Sequence, residues 1–119
     1  MINIRHWRPL FIQHKSLLVC LSYLAPIEIN AITLGPLVIS RDKIDKITQN
    51  HESIHFQQYL ETLFIGFIIF YLWDWIIGLF KYKDGHKSYF AIRAEKEAYR
   101  HQQNLNYLQT GRRRWAWLK

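Results

Sequence analysis

A chain of 119 residues and 14.5 kDa is the size of one domain, and residues 1–119 are read as a single unit. Half of it is apolar and 16% aromatic, which excludes a disordered chain, and its single cysteine excludes a disulfide framework or a multi-cysteine zinc site. Its 16 Lys and Arg against 9 Asp and Glu leave a net charge of +7, which suits nucleic acid, an anionic membrane surface or the cytoplasmic flank of a membrane helix.

The first segment, 1–26, has a basic start containing Arg5, Arg8 and Lys15, followed by the apolar run LLVCLSYLAP from Leu17 to Pro26. The run is short and no small-residue cleavage site follows, so it does not read as a signal peptide. A re-entrant or interfacial segment, or an early core element, is expected. The next segment, 27–41, is rich in β-branched residues and interrupted by Gly35-Pro36. It is predicted to be two short strands joined at that turn, or one bent extended segment. Pro36 lacks an N–H to donate, which suggests an edge position.

Asp42 can cap a helix beginning at Lys43, and nothing breaks it before Gly66. A helix over 42–83 is therefore predicted, running into the apolar stretch 63–80, LFIGFIIFYLWDWIIGLF, whose one charge is Asp74. Crossing the hydrocarbon layer takes about 20 apolar residues, so this stretch stands at the threshold for a membrane helix. Tyr71, Trp73 and Trp75 suit an interface, and Lys81 and Lys83 follow at once. Membrane association is expected; a buried helix in a cytoplasmic protein is the alternative. Asp74 is costly there and calls for a cationic partner from a neighbouring helix, or a place near the interface. After the turn Asp84-Gly85, a second helix is predicted over 88–110, with Ser88 as its N-cap and Thr110-Gly111 as its end. The tail 111–119 interleaves Arg112, Arg113 and Arg114 with Trp115 and Trp117, a pattern suited to a membrane surface. The expected fold is mainly α with a minor β part.

One motif carries chemistry. His51-Glu52-Ser53-Ile54-His55 reads HExxH. On a helix the two histidines project from one face, a turn apart, and can bind one small ion at about 2.0–2.1 Å each. Glu52 points roughly 100° away from His51, placed to take a proton from water at that ion. Ile44, Ile47 and Ile54 fall on the side of His51 and His55, so both imidazoles are expected to face the packed interior. A catalytic zinc site has three protein ligands and an open position, and the second helix offers Glu95 and Glu97. Ala91, Ala98, Gln102 and Leu105 form its least charged stripe, which Glu95 borders; Glu97 shares a charged face with Arg93, Arg100 and Asn104. The periodicity therefore favours Glu95 as third ligand and Glu97 as a surface residue paired with Arg93. Two glutamates on an ordinary amphipathic helix remain the plain alternative. His6, His14, His86 and His101 have no partner at metal spacing and read as surface residues.

An HExxH helix followed some tens of residues later by a helix bearing Glu resembles the gluzincin arrangement of zinc metallopeptidases, and Glu95-Lys96-Glu97-Ala98 is similar to their Glu-x-x-Ala run. The chain also resembles small uncharacterised bacterial proteins with an extended segment, an HExxH helix entering an apolar stretch, and Glu-x-Glu-Ala-Tyr near the end. The resemblance covers roughly Glu28 to Leu108. It implies a zincin-like two-helix site with His51, His55 and Glu95 as zinc ligands and Glu52 as general base. It also implies an edge strand near Ile32 to Ser40 for a peptide substrate. Tyr99 stands where gluzincins often place an acidic partner for a histidine; it is read as an interfacial aromatic, with a hydrogen bond to a ligand or an oxyanion as its other role.

The function expected is zinc-dependent peptide hydrolysis. The alternative is a non-catalytic membrane or structural protein whose ion staples two helices. Nucleic-acid binding rests on net charge alone and is the weakest of the three.

Overall fold

The computed structural model describes residues 7–24 and 30–118. Arg5 and His6 of the basic start, Pro26 and the beginning of the extended segment, and Lys119 lie outside the described residues. The described part is mainly helical with one small sheet.

β1 (Leu10–Gln13), β2 (Ala31–Leu34) and β3 (Leu37–Ser40) form that sheet in the order β1-β3-β2, with β1 parallel and β2 antiparallel to β3. The turn Gly35-Pro36 joins Leu34 to its partner Leu37. Gly35 takes φ +60°, which a residue without Cβ adopts freely. The strand after Pro36 is the central one, against the edge position expected from proline. Pro36 sits in the turn, where its missing N–H costs the ladder nothing, and its carbonyl accepts from Leu10 N at 2.8 Å. Leu17–Leu24 of the apolar run lies in α1 (Lys15–Leu24), which buries Leu18 and packs on β3.

The HExxH segment lies on α2 (Lys46–Glu61). Its N-cap is Asp45, whose carboxylate accepts from Thr48 N at 2.8 Å, so the helix starts after the predicted Asp42 cap. Nor does it continue to residue 83. Leu63 and Phe64 both take positive φ, 55° and 66°, and a new helix, α3 (Ile65–Tyr82), leaves in another direction. Left-handed non-glycine residues cost on the order of 1 kcal/mol or more each. A straight helix over the whole stretch, at 1.5 Å per residue, would measure about 55 Å, longer than the molecule's 40 Å greatest extent. The bend lets Phe67 stack on Tyr59, ring centroids 3.9 Å apart, and close a core with Ile92, Ala94 and Trp117.

The second predicted helix is also broken. α4 (Gly85–Ala91) is capped by Asp84, which accepts from His86 N and Lys87 N, while the predicted cap Ser88 is buried inside it. Ser88 lies so close to Gly78 of α3 that a Cβ at Gly78 would stand 3.0 Å from Ser88 Cα. Ile92, extended at ψ 129°, separates α4 from α5 (Arg93–His101). The cap of α5 comes from another element: Asp74 of α3 accepts from Arg93 N at 3.1 Å and takes the Arg93 guanidinium at 2.9 and 3.0 Å. That pair supplies the cationic partner expected for Asp74. α5 ends at His101, nine residues before the predicted stop, where Asn50 of α2 donates to the carbonyls of His101, Gln102 and Asn104. Thr110-Gly111 belongs to a π-helical turn (Tyr107–Gly111) that brings the tail back across α2 and α5.

Candidate metal centre

α2 is buried on nearly all sides from Asn50 to Tyr59 although many of those residues are polar. Such burial is tolerable only where each polar group has a partner. Of the three isoleucines expected beside the histidines, Ile54 is fully buried, but Ile47 is 37% exposed and Ile44 precedes the helix. The histidines are held inward by hydrogen bonds instead of an aliphatic stripe.

His51 and His55 both aim Nε2 at Glu95 Oε1, at 3.1 and 3.0 Å, and all three residues are buried. The far nitrogens are fixed by glutamines. Gln58 donates Nε2 to Ala94 O and to Glu97 Oε1, so its Oε1 faces His55 Nδ1, at 2.8 Å. Gln102 Oε1 lies 2.8 Å from His51 Nδ1. The orientation of Gln58 places a hydrogen on His55 Nδ1, and both Nε2 atoms converge on one carboxylate oxygen. Three potential ligand atoms meeting in a buried place could hold a cation between them.

The donor set could hold a metal ion. The three ligand atoms lie within 4.8 Å of one another, and tetrahedral ligands at 2.0–2.1 Å stand about 3.3 Å apart. Two imidazoles and one carboxylate, with both imidazoles oriented from behind, are the ligand chemistry such an ion takes. A proton meets the same demand in part. Burial disfavours a charged His55, but Glu95, with help from Glu52 and Gln58, raises its pKa to about 9. Burial likewise opposes ionisation of Glu95, yet His55 and His51 hold its carboxyl well below the usual range. At the other oxygen, Tyr71 donates its hydroxyl to Glu95 Oε2 at 2.6 Å. Tyr71, expected among interfacial aromatics, is thus turned inward to the site.

Glu52 is buried and accepts the Thr33 hydroxyl on Oε2 at 2.6 Å, which ties α2 to β2. Its charge bears on His55, Tyr59 and Tyr71. Tyr59 in turn donates to Thr33 O at 2.8 Å. A cavity of about 700 Å³ opens over His51, Glu52, His55 and Glu95, walled by residues 31–34 of β2 and by aromatic residues that include Tyr71 and Tyr99. The Tyr99 ring packs edge-on against His51, centroids 4.5 Å apart, and its hydroxyl lies 3.0 Å from that of Tyr89.

Glu97 is not a surface residue. It is buried, and its partner is Arg112 of the tail instead of Arg93. Arg112 clamps two carboxylates, meeting Glu61 at 2.8 and 2.8 Å and Glu97 at 2.8 and 3.1 Å. Tyr107 donates to Glu97 Oε2 at 2.6 Å, and Trp117 Nε1 donates to Glu61 Oε1 at 3.1 Å. A carboxylate turned into this helix interface does need a cation, but for Glu97 the cation is a guanidinium. Arg112 and Trp117 of the basic tail are thus part of the core, while Arg113, Arg114 and Trp115 remain exposed. Of the other histidines, His14 and His86 are exposed, and His101 stacks on Tyr107, centroids 3.9 Å apart.

Gln58, Gln102, Tyr71, Thr33 and Arg112 are the participants that motif reasoning passed over. Gln58 and Gln102 had a signal, being three residues after His55 and seven after Glu95, on the same helical faces. Tyr71 and Arg112 had none. Gln102→Ala is expected to weaken divalent-ion binding by about 10–100-fold without unfolding the chain, because His51 loses its partner at Nδ1; isothermal titration checks this. In comparisons with protein-family models, curated proteins and solved structures, no match to this chain was found.

Proposed function

We propose that this chain is a zinc-dependent peptidase of the gluzincin kind, with His51, His55 and Glu95 holding the ion and Glu52 as general base and acid. The observation that carries the reading is the convergence of two Nε2 atoms on one carboxylate oxygen, at 3.0–3.1 Å, beside an open cavity. When bound, zinc supplies Lewis acidity and lowers the pKa of water to about 7.

The chain's own groups do the rest. Thr33 occupies Glu52 Oε2, which leaves Oε1 to take a proton from the attacking water and return it to the leaving nitrogen. Tyr71 holds Glu95 through Oε2 and keeps Oε1 turned to the histidines. Tyr99, half-exposed at the cavity wall, is placed to donate to a developing oxyanion. β2 is an edge of the sheet and lines the cavity, so an extended peptide can lie along it.

Glu52→Gln tests the reading against a purely structural ion. The variant keeps the Thr33 contact and the ligands, so it is expected to retain its zinc and to lose peptide hydrolysis by a factor of about 10² or more. Equal hydrolysis by variant and wild type, or none by a zinc-loaded wild type across a varied peptide library, would leave the ion a staple between α2 and α5.

A further inference from the structure

α3 meets the rest of the protein along one side. Phe67, Tyr71, Asp74 and Gly78 face inward, to Tyr59, Glu95, Arg93 and Ser88. On the other side Ile65, Ile69, Leu72, Trp73, Ile76 and Phe80 are 47–82% exposed. Their spacing of three and four residues makes them one continuous strip. Soluble monomers rarely leave an apolar surface of that length bare. α3 is long and apolar enough to cross a membrane, and only 11% of it is buried.

The covered side decides how lipid can meet this helix. α4 and α5 run back along α3, with Ser88 at Gly78, Arg93 at Asp74 and Glu95 at Tyr71. Charged groups therefore accompany α3 along its length, and Lys87, Lys96 and Arg100 on those two helices are exposed. A crossing orientation would carry all of them to bilayer depth, where ionised side chains are costly. A helix lying flat immerses its outer strip alone. Cations stand near both ends of the strip. Exposed Lys81 and Lys83 close its C-terminal end. At the other end Trp117 packs on Phe67 and Phe70, with exposed Arg113 and Arg114 just before it in the tail. The net charge of +7 has the sign that anionic headgroups attract.

We propose that the outer side of α3 seats the protein on an anionic lipid surface, with the helix lying in that surface and not across it. Ile68 and Leu72 are exposed on this side and also line the cavity, so the cavity opens where lipid lies. On the peptidase reading, on which this corollary rests, the substrates are polypeptide segments held at the membrane surface.

Flotation of the purified chain with phosphatidylglycerol–phosphatidylcholine vesicles, and with phosphatidylcholine alone, tests the seating independently of any ion. Wild type is expected to bind the anionic vesicles at least about ten-fold better, with binding weakened by salt. Ile69→Glu/Ile76→Glu is expected to lose that binding at an unchanged melting temperature, and Lys81→Glu/Lys83→Glu to lose the preference for anionic vesicles. Absence of binding by folded wild type overturns the proposal. So does a protease-protected fragment showing that α3 crosses the bilayer, or a soluble dimer that Ile69→Glu/Ile76→Glu dissociates. Zinc content, measured on the same samples, reports separately on the metal centre.

Discussion

Chain purified with zinc present is expected to carry about one ion, and His55→Ala and Glu95→Ala to carry none, as read by elemental analysis. Both substitutions remove one of three converging acceptors, and two donors hold such an ion poorly. Glu95→Ala removes the buried carboxylate itself and so strands no charge, and the variant is expected to fold. Ion-free wild type adds a pH signature. His55 has its pKa raised from 6.5 to about 9, so its contribution is complete below 6.5 and lost as pH rises through 9. Glu95 is shifted the other way, so its contribution is present above the ordinary carboxylate value and lost in acid. Ion-free stability should therefore peak between these limits and fall by on the order of 3 kcal/mol from about pH 6 to above pH 9. Denaturant titrations at the two pH values measure it. Zinc competes with the proton, so its affinity should rise over the same window, adding about 2.7 kcal/mol of stability at 100-fold excess over Kd. Carefully handled wild type without metal, and with no pH slope, would return both histidines to the status of core residues.

Arg112→Ala is expected to be the most destabilising single change in the tail, by about 3–5 kcal/mol. The Arg112, Glu61 and Glu97 side chains are 5%, 1% and 4% exposed. Removing the guanidinium leaves two carboxylates buried together with no cation. Burial opposes the charge on Arg112, yet its hydrogen bonds to Glu61 and Glu97 raise its pKa above the ordinary value. Burial also opposes ionisation of Glu97, and Arg112 holds it below the usual range. Arg112→Lys keeps the charge and loses the two-sided fork, so it should fall between. The triple variant Glu61→Gln/Glu97→Gln/Arg112→Met removes the charges together and is expected to recover most of the loss. The chain from Arg112 through Glu97 and Gln58 to His55 means that Arg112→Ala should also weaken zinc binding. A loss below about 1 kcal/mol, read from the denaturant midpoint, would show that the cluster contributes little.

How far the sequence could be read depended on the range of the interaction. The extended segment with its Gly35-Pro36 turn, the helical HExxH segment and the choice of Glu95 over Glu97 for the histidine cluster all follow from spacings of two to four residues. Such spacings fix which side chains share a face whatever the rest of the chain does. The breaks at Leu63-Phe64 and Ile92 carry no glycine or proline. They arise because α3 and α5 must turn back to pack on α2, and Asp74 supplies the cap of α5 from 19 residues away. Glu97 was misplaced for the same reason: its partner Arg112 is 15 residues on, beyond any helical periodicity.

Local geometry is enough for a mainly helical chain, a pair of histidines one turn apart and a glutamate bordering the least charged stripe of a second helix, because each rests on spacings within one helix. The closed fold is what sets Gln58 and Gln102 behind the two histidines, turns Tyr71 inward, and buries Arg112 while one side of α3 stays bare. Those outcomes depend on the pairing of buried polar groups. Each buried donor or acceptor must find a partner somewhere in the fold, and only the closed fold specifies where that partner lies.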